Sequence, residues 1–145
     1  MLLNIQCMLW PGHRKSMMET MEKNAGLYRE EIGLKEAVAK IAELRQRYHK
    51  IVLHDKSNVF NTDLFQVLEL GSMLDCAEAL TVSALARKES RGAHQRLDYV
   101  ERDDQTFLRH SMAYYQGQSA PRLDYLDVVI TKSPPGVRDY SGDHK

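Results

Sequence analysis

The residues best suited to chemistry stand between Arg87 and Asp104, in the stretch RKESRGAHQRLDYVERDD. Arg87, Lys88, Arg91, Arg96 and Arg102 are interleaved there with Glu89, Asp98, Glu101, Asp103 and Asp104, and His94 sits among them. Alternating signs neutralise one another. The pattern therefore predicts an ion-pair network rather than a phosphate groove, which needs uncompensated cations. Gly92 can adopt a positive φ and end a helix. That would leave Arg87, Lys88 and Arg91 near a helix C-terminus, where the macrodipole favours cations. Taken alone, the stretch fits a structural helix end, a docking surface or a catalytic site.

Other routes to chemistry find little support. The six histidines (His13, His49, His54, His94, His110 and His144) are scattered, with no HExxH and no i, i+4 pair, so a metal site is not expected. Cys76 lies inside a helical pattern and reads as a small core residue; no GxSxG accompanies it. Neither GxGxxG nor GxxxxGK[ST] occurs, so no glycine-rich phosphate turn is encoded. Cys7 and Cys76 form no CxxC motif and suggest no disulfide framework, which points to a reducing compartment.

The elements that must position the charged stretch read as helices first. Ser16 and Glu19 stand at capping-box spacing, and Met18, Met21, Ala25 and Tyr28 recur behind them, with a break at Gly33. A second helix carries the stripe Leu34, Ala37, Val38, Ile41, Leu44, Tyr48 and Ile51. A third starts at Asn61–Asp63 and extends toward Glu89. Its apolar positions cover much of its circumference, as expected of a helix buried on several sides. Beyond Gly92, FLRHSMAYY and RLDYLDVVITK flank QGQSAP and read as a β-hairpin; SPPGVRDYSGDHK is an unpatterned tail. The expected fold is mainly α: an antiparallel, spectrin-repeat-like three-helix bundle followed by a small β-hairpin extension and an irregular tail. The divisions are 1–13, an unmatched N-terminal segment; 14–105, the bundle and charged loop; and 106–145, the β-containing extension and tail.

Composition narrows the partners. Lysine plus arginine equals aspartate plus glutamate at 20 each, so the formal net charge is zero. A nucleic-acid binder or a binder of anionic membranes would show a basic excess, and neither is expected. No apolar run is long enough to span a bilayer, and MLLNIQCMLW lacks the basic flank and cleavage site of a signal peptide.

Order and spacing add a resemblance. NTDL at Asn61–Leu64, LELG at Leu68–Gly71, ARKESRGAH at Ala86–His94, RDD at Arg102–Asp104, the region of His110 and PPGVRDY at Pro134–Tyr140 follow one another. Together they resemble the C-terminal part of the flavoprotein subunit of succinate dehydrogenase and fumarate reductase. The same domain of L-aspartate oxidase is similar, but the RKESRGAHQR and PPxxRxY elements fit it less well.

The resemblance implies a helical domain of an FAD enzyme that interconverts succinate and fumarate and passes electrons to an iron–sulfur subunit. It implies no cofactor, catalytic residue or metal in this chain, with FAD held elsewhere in the full-length enzyme, and no activity for the chain alone. The implied partners are the FAD-binding domain of the same subunit and the iron–sulfur subunit. The implied location is cytoplasmic, peripheral on the inner face of the membrane in the assembled complex. Arg87, Glu89, Arg91, His94, Arg96, Asp98, Arg102 and Asp104 are the expected docking or ion-pair corner. The rival reading is a free-standing helical interaction module, able to form a homodimer.

Overall fold

The computed structural model describes residues 10–136. Cys7, His144 and the end of the PPGVRDY motif lie outside the described residues. In chain order the elements are α1 (Trp10–Ala25), β1 (Tyr28–Arg29), α2 (Glu31–Tyr48), α3 (Thr62–Ala86), β2 (Gln95–Arg96), α4 (Asp104–Phe107), β3 (Arg109–Gln116) and β4 (Ser119–Asp127). The described chain is mainly α, with four helices, one antiparallel hairpin and one very short parallel strand pair.

Helix α1 begins six residues before the expected capping box. Ser16 lies inside it and its carbonyl accepts a hydrogen bond from Thr20 Oγ1 (2.7 Å), so Ser16 is no cap. Pro11, in the first turn, has no N–H to leave unsatisfied and is pre-set for a helix start. Contacts to α3 fix this early start: Trp10 Nε1 donates to Asp63 and Arg14 donates to Gln66 (2.8 Å). The buried face is accordingly His13, Met17 and Ala25, with Met21 partly buried, whereas Met18 and Tyr28 face solvent.

The chain breaks at Gly26–Glu30 rather than at Gly33, which lies within the first turn of α2. The expected α2 stripe supplies the centre of the core: Leu34, Ala37, Ile41 and Leu44 are fully buried. Ile41 and Leu44 pack with Met17, Leu70, Leu74 and Ala77, while Leu34 packs with Ala25 and Ala84. Leu34 thus meets the end of α3, whereas Tyr48 meets its middle at Gly71, so α2 and α3 run in opposite directions.

Helix α3 starts where the sequence places it. Asn61 Oδ1 accepts the Leu64 N–H (2.8 Å), and Asp63 sits in the first turn. The expectation of burial on several sides fails. Leu70, Leu74, Ala77 and Ala84 face the core, but Leu64, Phe65 and Leu68 lie on the opposite side and are exposed, Phe65 to 67%. Cys76 is also exposed rather than a core residue, because it falls on that outer side. The helix stops at Ala86, well before Glu89. Gly92 has the expected positive φ of 57°, but it serves a tight turn closed by reciprocal Arg91–His94 backbone hydrogen bonds, not the helix end.

The hairpin agrees with the sequence reading. Strands β3 and β4 pair antiparallel from Arg109↔Asp127 to Gln116↔Ser119, around Gly117 at φ 66°. It packs on α3 and is tied to α2 by Arg45, which donates to the Gly117 carbonyl (2.8 Å).

Candidate functional site

The charged stretch folds into a corner between the end of α3, the β1–β2 pair and α4. Its centre is Glu89, with no exposed surface. The Glu89 carboxylate accepts from Arg87, from Arg91 Nε (2.8 Å) and Nη2 (2.9 Å), and from the Asp103 backbone N–H (2.9 Å). Burial raises its pKa, but the Arg91, Asp103 and Arg87 hydrogen bonds outweigh it and leave the group below the usual carboxylate value. Arg91 also reaches Asp104 (2.6 Å), and Arg102 holds the other Asp104 oxygen (2.8 Å). Arg87 also donates to the carbonyls of Phe107 (2.9 Å) and Arg109 (2.6 Å) and to the Ser111 hydroxyl (3.1 Å), joining the corner to the start of the hairpin.

Arg96, 1% exposed, anchors the second half. One edge of its guanidinium forms a bidentate pair with Asp98, both contacts at 2.7 Å. Its Nη1 points the other way, to the carbonyls of Ala84 (3.1 Å), Leu85 (3.4 Å) and Arg87 (3.2 Å). These are orphan acceptors at the end of α3, so the cation complementing this helix terminus is Arg96, returning from nine residues beyond Arg87. Asp98 in turn accepts the Glu31 N–H (3.0 Å) at the start of α2, where Glu30 offers no side-chain cap. The Arg96 hydrogen bond pulls the Asp98 pKa down to about 2.

All eight expected corner residues are therefore brought together. Glu89 and Arg96 point inward, and Asp98, Arg102 and Asp104 form the more accessible rim. Four residues outside the expected set of eight also contribute. Ser90 Oγ accepts the Arg96 N–H (2.8 Å) and donates to the Tyr99 carbonyl (2.8 Å). Asp103 caps α4 by accepting the Gln105 and Thr106 N–H groups. Arg29 meets His94 across the β1–β2 pair (2.7 Å), and Tyr99 lies 5.0 Å from the Arg96 guanidinium. Asp103 followed by a short polar run is a legible cap; nothing local marks Arg29, a lone cation between two helices.

The corner ties the end of α3 to the start of α2 through Arg96 and Asp98, and to the start of the hairpin through Arg87. Its carboxylates Glu89, Asp98 and Asp104 are engaged in ion pairs with Arg87, Arg91, Arg96 and Arg102. Among the described residues no group of three or more His, Cys, Asp or Glu side chains is placed to hold a metal ion. Helices α2 and α3 open on Glu31 and Asp63, acidic residues that oppose an anion at those two helix starts.

A small, mainly α unit with an internal ion-pair corner is the class that fold and site define. Residues 14–140 match the family model described as "Fumarate reductase flavoprotein C-term". The chain is 49% identical over 134 residues to the fumarate reductase flavoprotein subunit of Haemophilus influenzae, covering 92% of this chain and 22% of that protein. It is 40% identical over 118 residues to the succinate dehydrogenase flavoprotein subunit of Rickettsia conorii, covering 81% of this chain and 20% of that one. A solved mutant FrdA chain of E. coli quinol fumarate reductase superposes with a TM-score of 0.88 at 46% identity, over 92% of this chain and 23% of that chain. The chain belongs to the family of C-terminal domains of fumarate reductase and succinate dehydrogenase flavoproteins. It spans about a fifth of the length of these relatives.

Proposed function

We propose that this chain is the structural buttress of a flavoprotein that interconverts succinate and fumarate with FAD and passes electrons to an iron–sulfur subunit. In this reading α1, α2 and α3 act as an antiparallel three-helix bundle. The outer face of α3 rests on the FAD-binding domain of the same subunit, and the rim of the charged corner borders the iron–sulfur subunit. The assembly is cytoplasmic and peripheral on the inner face of the membrane. No helix among the described residues is long and apolar enough to cross a membrane.

The observation that carries the reading is the apolar surface of Phe60, Leu64, Phe65 and Leu68. Phe60 is 95% exposed and is held at a positive φ of 52° beside the Asn61 cap. Contiguous apolar side chains of this size mark an interaction surface, and the strained presentation of Phe60 costs about 1 kcal/mol or more that a partner contact would offset. The corner supports the second contact through Asp98, Arg102 and Asp104.

The test is co-expression of the chain with the remaining part of the H. influenzae fumarate reductase flavoprotein subunit. The two should co-purify, and Leu68→Asp should abolish the association while leaving the isolated chain folded. Failure of the unmodified chain to associate would overturn the reading. A homodimer that Leu68→Asp dissolves would favour the free-standing interaction module instead.

A further inference from the structure

We propose that His94 is a pH-sensitive latch, closing the charged corner onto the α1–α2 connection while its imidazole is neutral and releasing it on protonation. The inference rests on the corner's geometry and is independent of the function proposed above.

The two ring nitrogens have fixed roles. His94 Nδ1 lies 2.7 Å from an Arg29 guanidinium nitrogen. A guanidinium only donates, so Nδ1 must accept. His94 Nε2 lies 3.1 Å from the Arg87 carbonyl oxygen. A carbonyl only accepts, so Nε2 must carry the proton. One neutral tautomer satisfies both contacts. A second proton on Nδ1 would set donor against donor and place two cations at hydrogen-bond distance.

The surroundings offer that second proton no compensation. Arg29 faces the ring from β1, Arg87 from the end of α3 and Arg96 from β2. The corner's carboxylates are already engaged: Glu89 by Arg87 and Arg91, and Asp98 by Arg96 and the Glu31 amide. Burial lowers the His94 pKa, the hydrogen bond to the Arg87 carbonyl raises it, and the charges of Arg29, Arg96 and Arg87 lower it again. The net direction is below the ordinary 6.5.

The latch matters because little else spans this junction. Strands β1 and β2 pair over two residues each, and the Leu97 N–H donates to the Arg29 carbonyl (2.9 Å). Arg29 Nε holds the Gly26 carbonyl (2.7 Å), so the same guanidinium links the turn after α1 to the corner. Without the Arg29–His94 contact, the short ladder and the Asp98 cap on Glu31 remain. The sign follows from the lowered pKa in the closed form. Closure is fully favoured above the open-state value near 6.5 and is lost as pH falls below it.

The test uses the 145-residue chain, isotopically labelled, between pH 7 and pH 5. The ring-nitrogen NMR signals of His94 should report the Nε2–H tautomer at pH 7 and a titration midpoint below 6.5. Over the same range the Leu97 amide, corrected for intrinsic exchange, should lose protection about tenfold. His94→Gln keeps an acceptor and a donor without a titrating proton, so it should flatten that pH dependence. An Nδ1–H tautomer, a midpoint at or above 6.5, or a Leu97 response that persists in His94→Gln would overturn the latch. Should His94→Gln fail to fold, the tautomer and midpoint of the unmodified chain decide the question.

Discussion

The phenol of Tyr48 lies across Gly71, so that a Cβ placed on Gly71 would stand 2.6 Å from the Tyr48 hydroxyl oxygen and 2.9 Å from its ring. This glycine is needed in mid-helix because the α2 side chain occupies the space. Tyr48 also packs against the core cluster of Ile41, Leu44 and Leu70, so its ring cannot swing away freely. Gly71→Ala gains about 1 kcal/mol of helix propensity but costs about 1–3 kcal/mol of overpacking. We expect a net loss of stability in urea denaturation, restored when Tyr48→Leu is added. A Gly71→Ala variant more stable than the parent would show that the ring yields.

Glu89 should be the most sensitive position in the corner. Glu89→Gln leaves Arg87 and Arg91 facing a neutral amide in a buried site, and breaking such a network costs about 3–5 kcal/mol. The exposed Arg122–Asp124 pair (3.1 Å) is the control. Asp124→Asn should leave the urea midpoint unchanged within error. Equal effects of the two substitutions would mean that the corner is no more than a solvated charge cluster.

Arg45 joins three elements. It pairs with Asp75 (3.0 Å) and Glu78 on α3, donates to the Gly117 carbonyl in the hairpin turn, and stacks 5.9 Å from the Tyr115 ring centre. Arg45→Met removes the only cation paired with the nearly buried Glu78 among the described residues. The expected cost is about 3 kcal/mol, with faster hydrogen exchange in β3 and β4. Arg45→Lys keeps the charge but cannot form the same fork, so it should rescue only part of the loss. Unchanged exchange in the hairpin of Arg45→Met would remove Arg45 as its tie.

Asp98 sets an acid limit. Its pKa, lowered to about 2 from 3.8, means that the folded state favours the carboxylate. That contribution is complete above the unfolded value and is lost as pH falls from about 4 toward 2. Asp98→Asn should lower stability at neutral pH and flatten the acid dependence within that window. An unaltered acid profile would place the sensitivity on another carboxylate.

How much was legible in the sequence depends on whether the deciding interactions were local. The α2 stripe, the Asn61 cap and the hairpin around Gly117 were legible because their signals fall within a few residues. The start of α1 was not, because Trp10 and Arg14 are held by residues on α3 some fifty positions away. The membership of the corner could be read from alternating charge. Its geometry could not: Arg96 closes α3 by folding back on it, and β1–β2 is too short to carry a periodic pattern. The outer face of α3 misled for a related reason. An apolar position records that burial is favoured without recording which surface provides it.

The separation of Arg29 and His94 by 65 residues also sets an order in time. A two-residue strand pair cannot offset the closure of so long a loop, whereas packing α2 on α3 closes a shorter one and buries Leu34, Ile41 and Leu44. We therefore expect the helices to associate before the corner forms. Substitutions at Glu89 should then speed unfolding and leave the folding rate nearly unchanged, whereas Ile41→Val should slow folding. The corner that holds the finished domain together would be absent from its folding nucleus, and its main kinetic effect would be on how long the native state lasts.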